Sequence, residues 1–148
     1  MLIYFETSGE VVTMSVSRSE VEDYIQDIRN CIDANNYRFD MRRSKNMSLF
    51  TDYVINEAEA LVVCKELSSD DFIDKVQNEH PGYEHEYLYI FGKSLNLLER
   101  FSSNEVKVDL YIKFNKIQDN QGNGYAIIVS FHEQEYSVQY YKDKYPAF

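Results

Sequence analysis

The chain has 148 residues, 44% hydrophobic and 15% aromatic, which suits one domain with its own core and excludes a disordered segment. Its formal charge of −10 argues against indiscriminate nucleic-acid binding, because phosphates repel an acidic surface. No apolar run approaches the roughly 20 residues of a membrane-spanning helix, and the opening MLIYFETSGE lacks the basic start of a signal peptide, so a reducing cytoplasm is expected.

Residues 2–6 and 11–16 read as two short strands around Ser8-Gly9, a hairpin. Ser17 and Glu20 have capping-box spacing, and Val21, Tyr24, Ile25, Ile28, Cys31 and Ile32 then recur at helical intervals. Asn35-Asn36 is a natural stop for that helix. The stretch RFDMRRSKN (residues 38–46) reads as a polar, basic connector. Leu49, Phe50, Tyr53 and Val54 predict a second, short helix, and residues 58–67 a third. Ser68 and Asp71 offer an N-cap signal for a further turn of helix through Val76. Residues 77–86, with Pro81-Gly82, form a polar loop. Cys31 and Cys64 lie in apolar runs without zinc spacing and read as packed, reduced thiols.

The C-terminal half changes period. Residues 87–91 read as a strand, and Val106, Val108, Leu110, Ile112 and Phe114 alternate with polar or Tyr side chains, the pattern of a half-buried strand. Residues 126–131 are more apolar throughout and predict a central strand. Between these two, Asp119-Asn120-Gln121-Gly122-Asn123-Gly124 is turn chemistry. The expectation is an α+β fold, one domain over residues 1–148, with helices packed on a small antiparallel sheet.

The charge is unevenly spread. Residues 52–86 hold ten carboxylates against two lysines, a net −8, while residues 38–45 carry +3 and residues 87–118 carry +2. A local basic cleft is therefore compatible with the acidic total.

If the turn is symmetric about Gln121 and Gly122, Tyr111 faces His132 and Lys113 faces Ser130. Side chains two apart on a strand share a face, so these four would form one cluster, opposite Leu110, Ile112 and Phe114. A one-residue bulge would break that pairing. Tyr, Lys and His together suit metal-free RNA cleavage, which needs a base for the ribose 2′-OH, a cation near the phosphate and an acid for the departing oxygen. His132 can serve as base or acid, Lys113 and Lys93 can hold the phosphorane charge, and Tyr111 can orient the phosphate or stack on a base. The competing explanation is an ordinary polar sheet face.

Other candidates carry less. Asp70, Asp71 and Asp74 sit where carboxylates complement a helix dipole and lack calcium-loop spacing. His80 and His85 have no partner Cys or His. FGKS (residues 91–94) lacks the first glycine of a phosphate-binding loop. Arg42, Arg43 and Lys45 are either phosphate contacts or a solvated connector.

The stretches RRSKN (42–46), ELSSDDF (66–72), YIFGK (89–93), LYIKF (110–114), IIVSFHE (127–133) and the terminal YP (145–146) also follow an order and spacing. In these the chain, from about Asp40 onward, resembles the MqsR family of toxin–antitoxin ribonucleases. The resemblance implies a RelE-type fold, mRNA cleavage with no metal or other cofactor, and a cognate antitoxin as inhibitory partner. It puts Tyr111, Lys113 and His132 in the site. Lys93 supports them, and Arg42, Arg43, Lys75 and Lys116 are expected to bind RNA. Asp74 stands where the family has a lysine, with Lys75 following, and Glu86 stands in place of a glutamine. The N-terminal hairpin (residues 1–16) lies outside the resemblance, and so does the acidity. The alternative function is a non-catalytic acidic protein that inhibits a nucleic-acid-binding partner, with residues 52–86 as its working surface.

Overall fold

The computed structural model describes residues 3–7, 10–14 and 16–148. Strands β1 (Ile3–Thr7) and β2 (Glu10–Met14) pair antiparallel as a separate two-stranded sheet, in agreement with the expected hairpin; Ser8-Gly9 lies outside the described residues. Helix α1 (Arg18–Asp33) starts as its capping signal predicts, with Ser17 Oγ accepting from Glu20 N at 3.1 Å. The Glu20 carboxylate does not close the box. It accepts instead from Tyr89 Oη at 2.6 Å and Lys75 Nζ at 3.0 Å, tying the helix to the sheet. The helix ends before Asn35, whose φ of 59° is a conformation Asn tolerates better than most residues.

The basic stretch after α1 is more structured than a connector. Tyr37–Phe39 forms β3, which pairs parallel with β7 (Gly124–Glu133), so the sheet is mixed rather than wholly antiparallel. Its signal is three residues long and is masked by the surrounding charges, but Phe39 is buried edge-on against Phe50 and Phe131. Helix α2 (Ser44–Asp52) also begins inside this stretch. Helix α3 (Glu57–Glu66) carries a complete capping box, Asn56 with Glu59.

The helical turn expected through Val76 is not there. Ser68 and Asp71 do cap each other, but only around one 3₁₀ turn (Ser69–Asp71), and β4 (Phe72–Gln77) follows. Burial decides this segment: Phe72 is fully enclosed between Phe91, Tyr141 and Phe148, and the extended backbone lets it reach them. Strand β5 (Tyr87–Leu98) and β6 (Glu105–Gln118) are longer than predicted, and a short helix α4 (Tyr141–Lys144) ends the chain. The sheet order β3-β7-β6-β5-β4 gives β7 a neighbour on each side and puts β6 in the middle. The molecule is thus α+β, with a five-stranded mixed sheet.

The sheet has two unlike faces. Leu110, Ile112 and Phe114 of β6, Phe91 of β5 and Phe131 of β7 belong to the core shared with the helices. Tyr111 and Lys113 point the other way, opposite His132 and Ser130 across the β6–β7 ladder. Asp119 closes the intervening turn, its Oδ1 accepting from Gln121 N and Asn123 N at 2.9 Å. Gln118 pairs with Gly124, so the turn is centred on Gln121 alone. A bulge at Val129 then shifts the register by one residue and brings Tyr111 opposite His132.

Candidate active site

Among the sequence-predicted residues, Tyr111, Lys113 and His132 meet. Together with Ser130 they form the floor of a cavity of about 280 Å³ on the face away from the core. The Tyr111 and His132 rings stack with centroids 5.3 Å apart and planes 18° from parallel, and Lys113 Nζ lies 5.9 Å from the Tyr111 ring. The α2 N-terminus supplies one wall through Arg43 and Lys45. The segment after β7 supplies the other through Glu135, Tyr136 and Val138, and Glu135 is ion-paired to Lys45 across the gap.

That segment, residues 134–140, straps the open face. Gln134 N and Nε2 donate to the carbonyls of Asp109 (2.8 Å) and Leu110 (3.0 Å). At Gly92 a Cβ would come within 2.9 Å of Tyr140 Oη and 3.2 Å of Gln134 Nε2 on the strap, and within 3.1 Å of Ile73 Cδ1 on β4. Glycine here serves close approach, not the turn of a phosphate-binding loop.

The pocket is cationic. Among the described residues no carboxylate is paired with Lys113, whereas Lys75, Lys93 and Lys116 each have one. Burial and the nearby Arg43 guanidinium lower the Lys113 pKa from its ordinary value. Burial likewise pulls His132 below 6.5, helped by Lys45, Lys113 and Arg43 and opposed by a hydrogen bond to its neighbour's backbone. In that bond His132 Nδ1 lies 2.7 Å from the Glu133 carbonyl oxygen. A carbonyl can only accept, so Nδ1 carries a proton and Nε2 of the neutral ring keeps the free lone pair. Burial, then the Asp74 carboxylate, raise the Tyr111 phenol, which stays protonated and can donate. The first turn of α2 has no side-chain cap, so its positive dipole end and Arg43 both bear on the same space.

The other predicted residues lie elsewhere. Lys93 pairs with Leu110 on the core-facing side and binds Asp71 at 3.4 Å, so it does not join Lys113 and His132. Lys75 and Lys116 line a larger open cleft of about 1270 Å³ beside α1, on the core-facing side of the sheet. There each is held by a carboxylate, Lys75 by Glu20 and Lys116 by Asp27 at 2.5 Å. Arg42 is largely solvent-exposed and pairs with Asp40 at 3.2 Å. Asp74, not Lys75, shares the open face with Tyr111, as its pairing with Ile90 places it. Among the described residues, no group of three or more His, Cys, Asp or Glu is arranged to hold a metal ion, and no helix is long and apolar enough to cross a membrane.

Sequence reasoning missed two contributors. One is the strap, which has no periodicity to reveal it. The other is Asn46, which sits at helical spacing with Leu49, Phe50 and Tyr53 and is fully buried on the same stripe. A polar residue in an apolar stripe is the signal that could have exposed it. Comparison of the chain with protein-family models, curated proteins and solved structures finds no match.

Proposed function

We propose that the pocket is the active site of a metal-independent endoribonuclease of the MqsR and RelE type, held in check by a cognate antitoxin. The observation that supports it is the convergence of Tyr111, Lys113, His132 and Arg43 on one cationic cavity in a chain of charge −10. The neutral His132 Nε2 takes the proton of a ribose 2′-OH, and the 2′ oxygen attacks the adjacent phosphorus. Arg43 and the α2 N-terminus stabilise the charge that grows on the non-bridging oxygens, and the Tyr111 hydroxyl orients them. As the bond from phosphorus to the 5′ oxygen breaks, the Lys113 ammonium gives that oxygen a proton; its depressed pKa makes it a better acid than an ordinary lysine. The products are a 2′,3′-cyclic phosphate and a 5′-hydroxyl, and every proton is assigned to a side chain.

The test is induced expression in a bacterial host of wild type beside the His132→Ala/Lys113→Ala double variant, with growth and transcript integrity followed. Growth arrest with fragmented mRNA in wild type alone is expected, and purified protein should cut RNA in EDTA. Equal toxicity of the double variant would sink the site. Normal growth at good soluble expression would favour the second reading, an acidic inhibitor of a basic partner, which the net −8 of residues 52–86 supports.

A further inference from the structure

We infer that Asn46 is a positioning residue for His132: its side-chain amide holds the bulge at Val129 that turns Ser130 and His132 onto the pocket face. The functional weight of this rests on the ribonuclease reading; the geometry does not. From the turn as far as Ile128, β7 pairs with β6 in one register, with Phe114 opposite Ile128. Continued unbroken, that ladder would set Val129 against Lys113 and Phe131 against Tyr111. Because side chains alternate, Phe131 would then enter the pocket and His132 the core. The extra residue reverses this, so Phe131 is fully buried beside Phe39 and Phe50 and His132 stacks on Tyr111.

Asn46 holds the bulge because no strand does. β3 ends at Phe39, and Asp40 N makes the last backbone bond to this edge of β7, donating to Ile128 O at 3.0 Å. Beyond it Asn46 supplies both halves of the missing peptide group. Its Nδ2 donates to Val129 O at 3.0 Å, and its Oδ1 accepts from Phe131 N at 2.8 Å. The same Nδ2 donates to Asp40 O at 2.8 Å, anchoring the end of β3. Carbonyls only accept and N–H groups only donate, so the amide has one possible orientation. Asn46 has no exposed surface, so water has no route to replace it. It also belongs to the first turn of α2, which carries Arg43 and Lys45. One side chain therefore ties the helix end that carries Arg43 and Lys45 to the strand that carries His132.

The experiment uses the labelled full chain, observed by NMR. In Asn46→Ala the cross-strand contact between the Tyr111 and His132 rings should be lost while that between Lys116 and Ala126 persists, and the His132 titration midpoint should move. RNA cleavage should fall about 100-fold in kcat with little change in KM, the size of effect a misplaced catalytic group produces. Deleting Val129 in the same background makes the ladder continuous in the productive register and should restore the ring contact. A retained ring contact and unmoved midpoint in Asn46→Ala would overturn the inference. If Asn46→Ala does not fold, the wild type and the Val129-deleted variant decide. Slow exchange of the Asn46 side-chain protons in wild type and a folded deletion variant support the role, and exchange as fast as an exposed amide refutes it. If wild type cleaves no RNA, the function is wrong, yet the ring contact and titration still judge Asn46.

Discussion

The surroundings of His132 favour its neutral form, the form that the proposed base needs. Its buried position disfavours the imidazolium, and Lys45, Lys113 and Arg43 add like-charge repulsion, so its pKa falls below 6.5 and the ring is neutral at pH 7. Nε2 then keeps its lone pair, as the proposed base requires. If His132 is the base and Lys113 the acid, cleavage should decline as pH falls through the depressed His132 pKa, because protonation removes the base, and should decline again at high pH as the Lys113 ammonium loses its proton. An NMR titration of the ring should give the same midpoint as the acid limb of the rate. Lys45→Ala removes one repelling charge and should move both midpoints upward together. A wild-type midpoint at or above 6.5 would contradict the assignment. At this scale the shared face of Tyr111 and Lys113, and that of Ser130 and His132, was legible in the sequence because strand alternation puts residues two apart on one side; that the two pairs meet depended on the register. Lys93 was not legible: it was named for its charge, and its sharing of a side with Phe91 and Leu95 puts it on the core side.

At the scale of elements, turn chemistry and period located β6 and β7, but the register was reached by two compensating errors. The turn is centred on Gln121 rather than between Gln121 and Gly122, which shifts the register by one residue, and the bulge at Val129, which nothing in its local sequence marks, restores the pairing. The β4 segment went the other way, since a real local cap gave way to the burial of Phe72. The strap was illegible because the contacts that hold it to the sheet are long-range, yet it leaves one testable mark. Gly92→Ala would place a methyl 2.9 Å from Tyr140 Oη and force the ring and strap to shift. Overpacking of this kind costs about 1–3 kcal/mol. In urea unfolding Gly92→Ala should be destabilised by that order, and Tyr140→Phe, lacking the hydroxyl, should relieve part of the loss when combined with it. Strict additivity of the two would show that the hydroxyl contact is not what requires glycine.

For the whole molecule, the acidic total and the cationic pocket describe different length scales. Salt screens charges beyond roughly 8 Å at physiological ionic strength, so an RNA phosphate in the pocket is governed by Arg43, Lys45 and Lys113 more than by distant carboxylates. For an RNA ligand those carboxylates would act at long range, slowing encounter and suppressing binding outside the pocket. The two functional readings separate here. If up to three phosphates of a single strand are neutralised, the log–log dependence of RNA affinity on salt should have a slope near about −2, since each contributes roughly −0.7. Arg43→Ala should weaken binding and flatten the slope by about 0.7. An acidic inhibitor of a basic partner would also lose affinity with salt, but Arg43→Ala removes a repelling charge from such a complex and would leave its affinity unchanged or raised. Titrating Arg43→Ala and wild type with a short oligoribonucleotide over a range of salt therefore tests both at once. A steeper slope for wild type places RNA binding at the pocket, equal slopes remove Arg43 from it, and no binding by either protein favours the inhibitor reading.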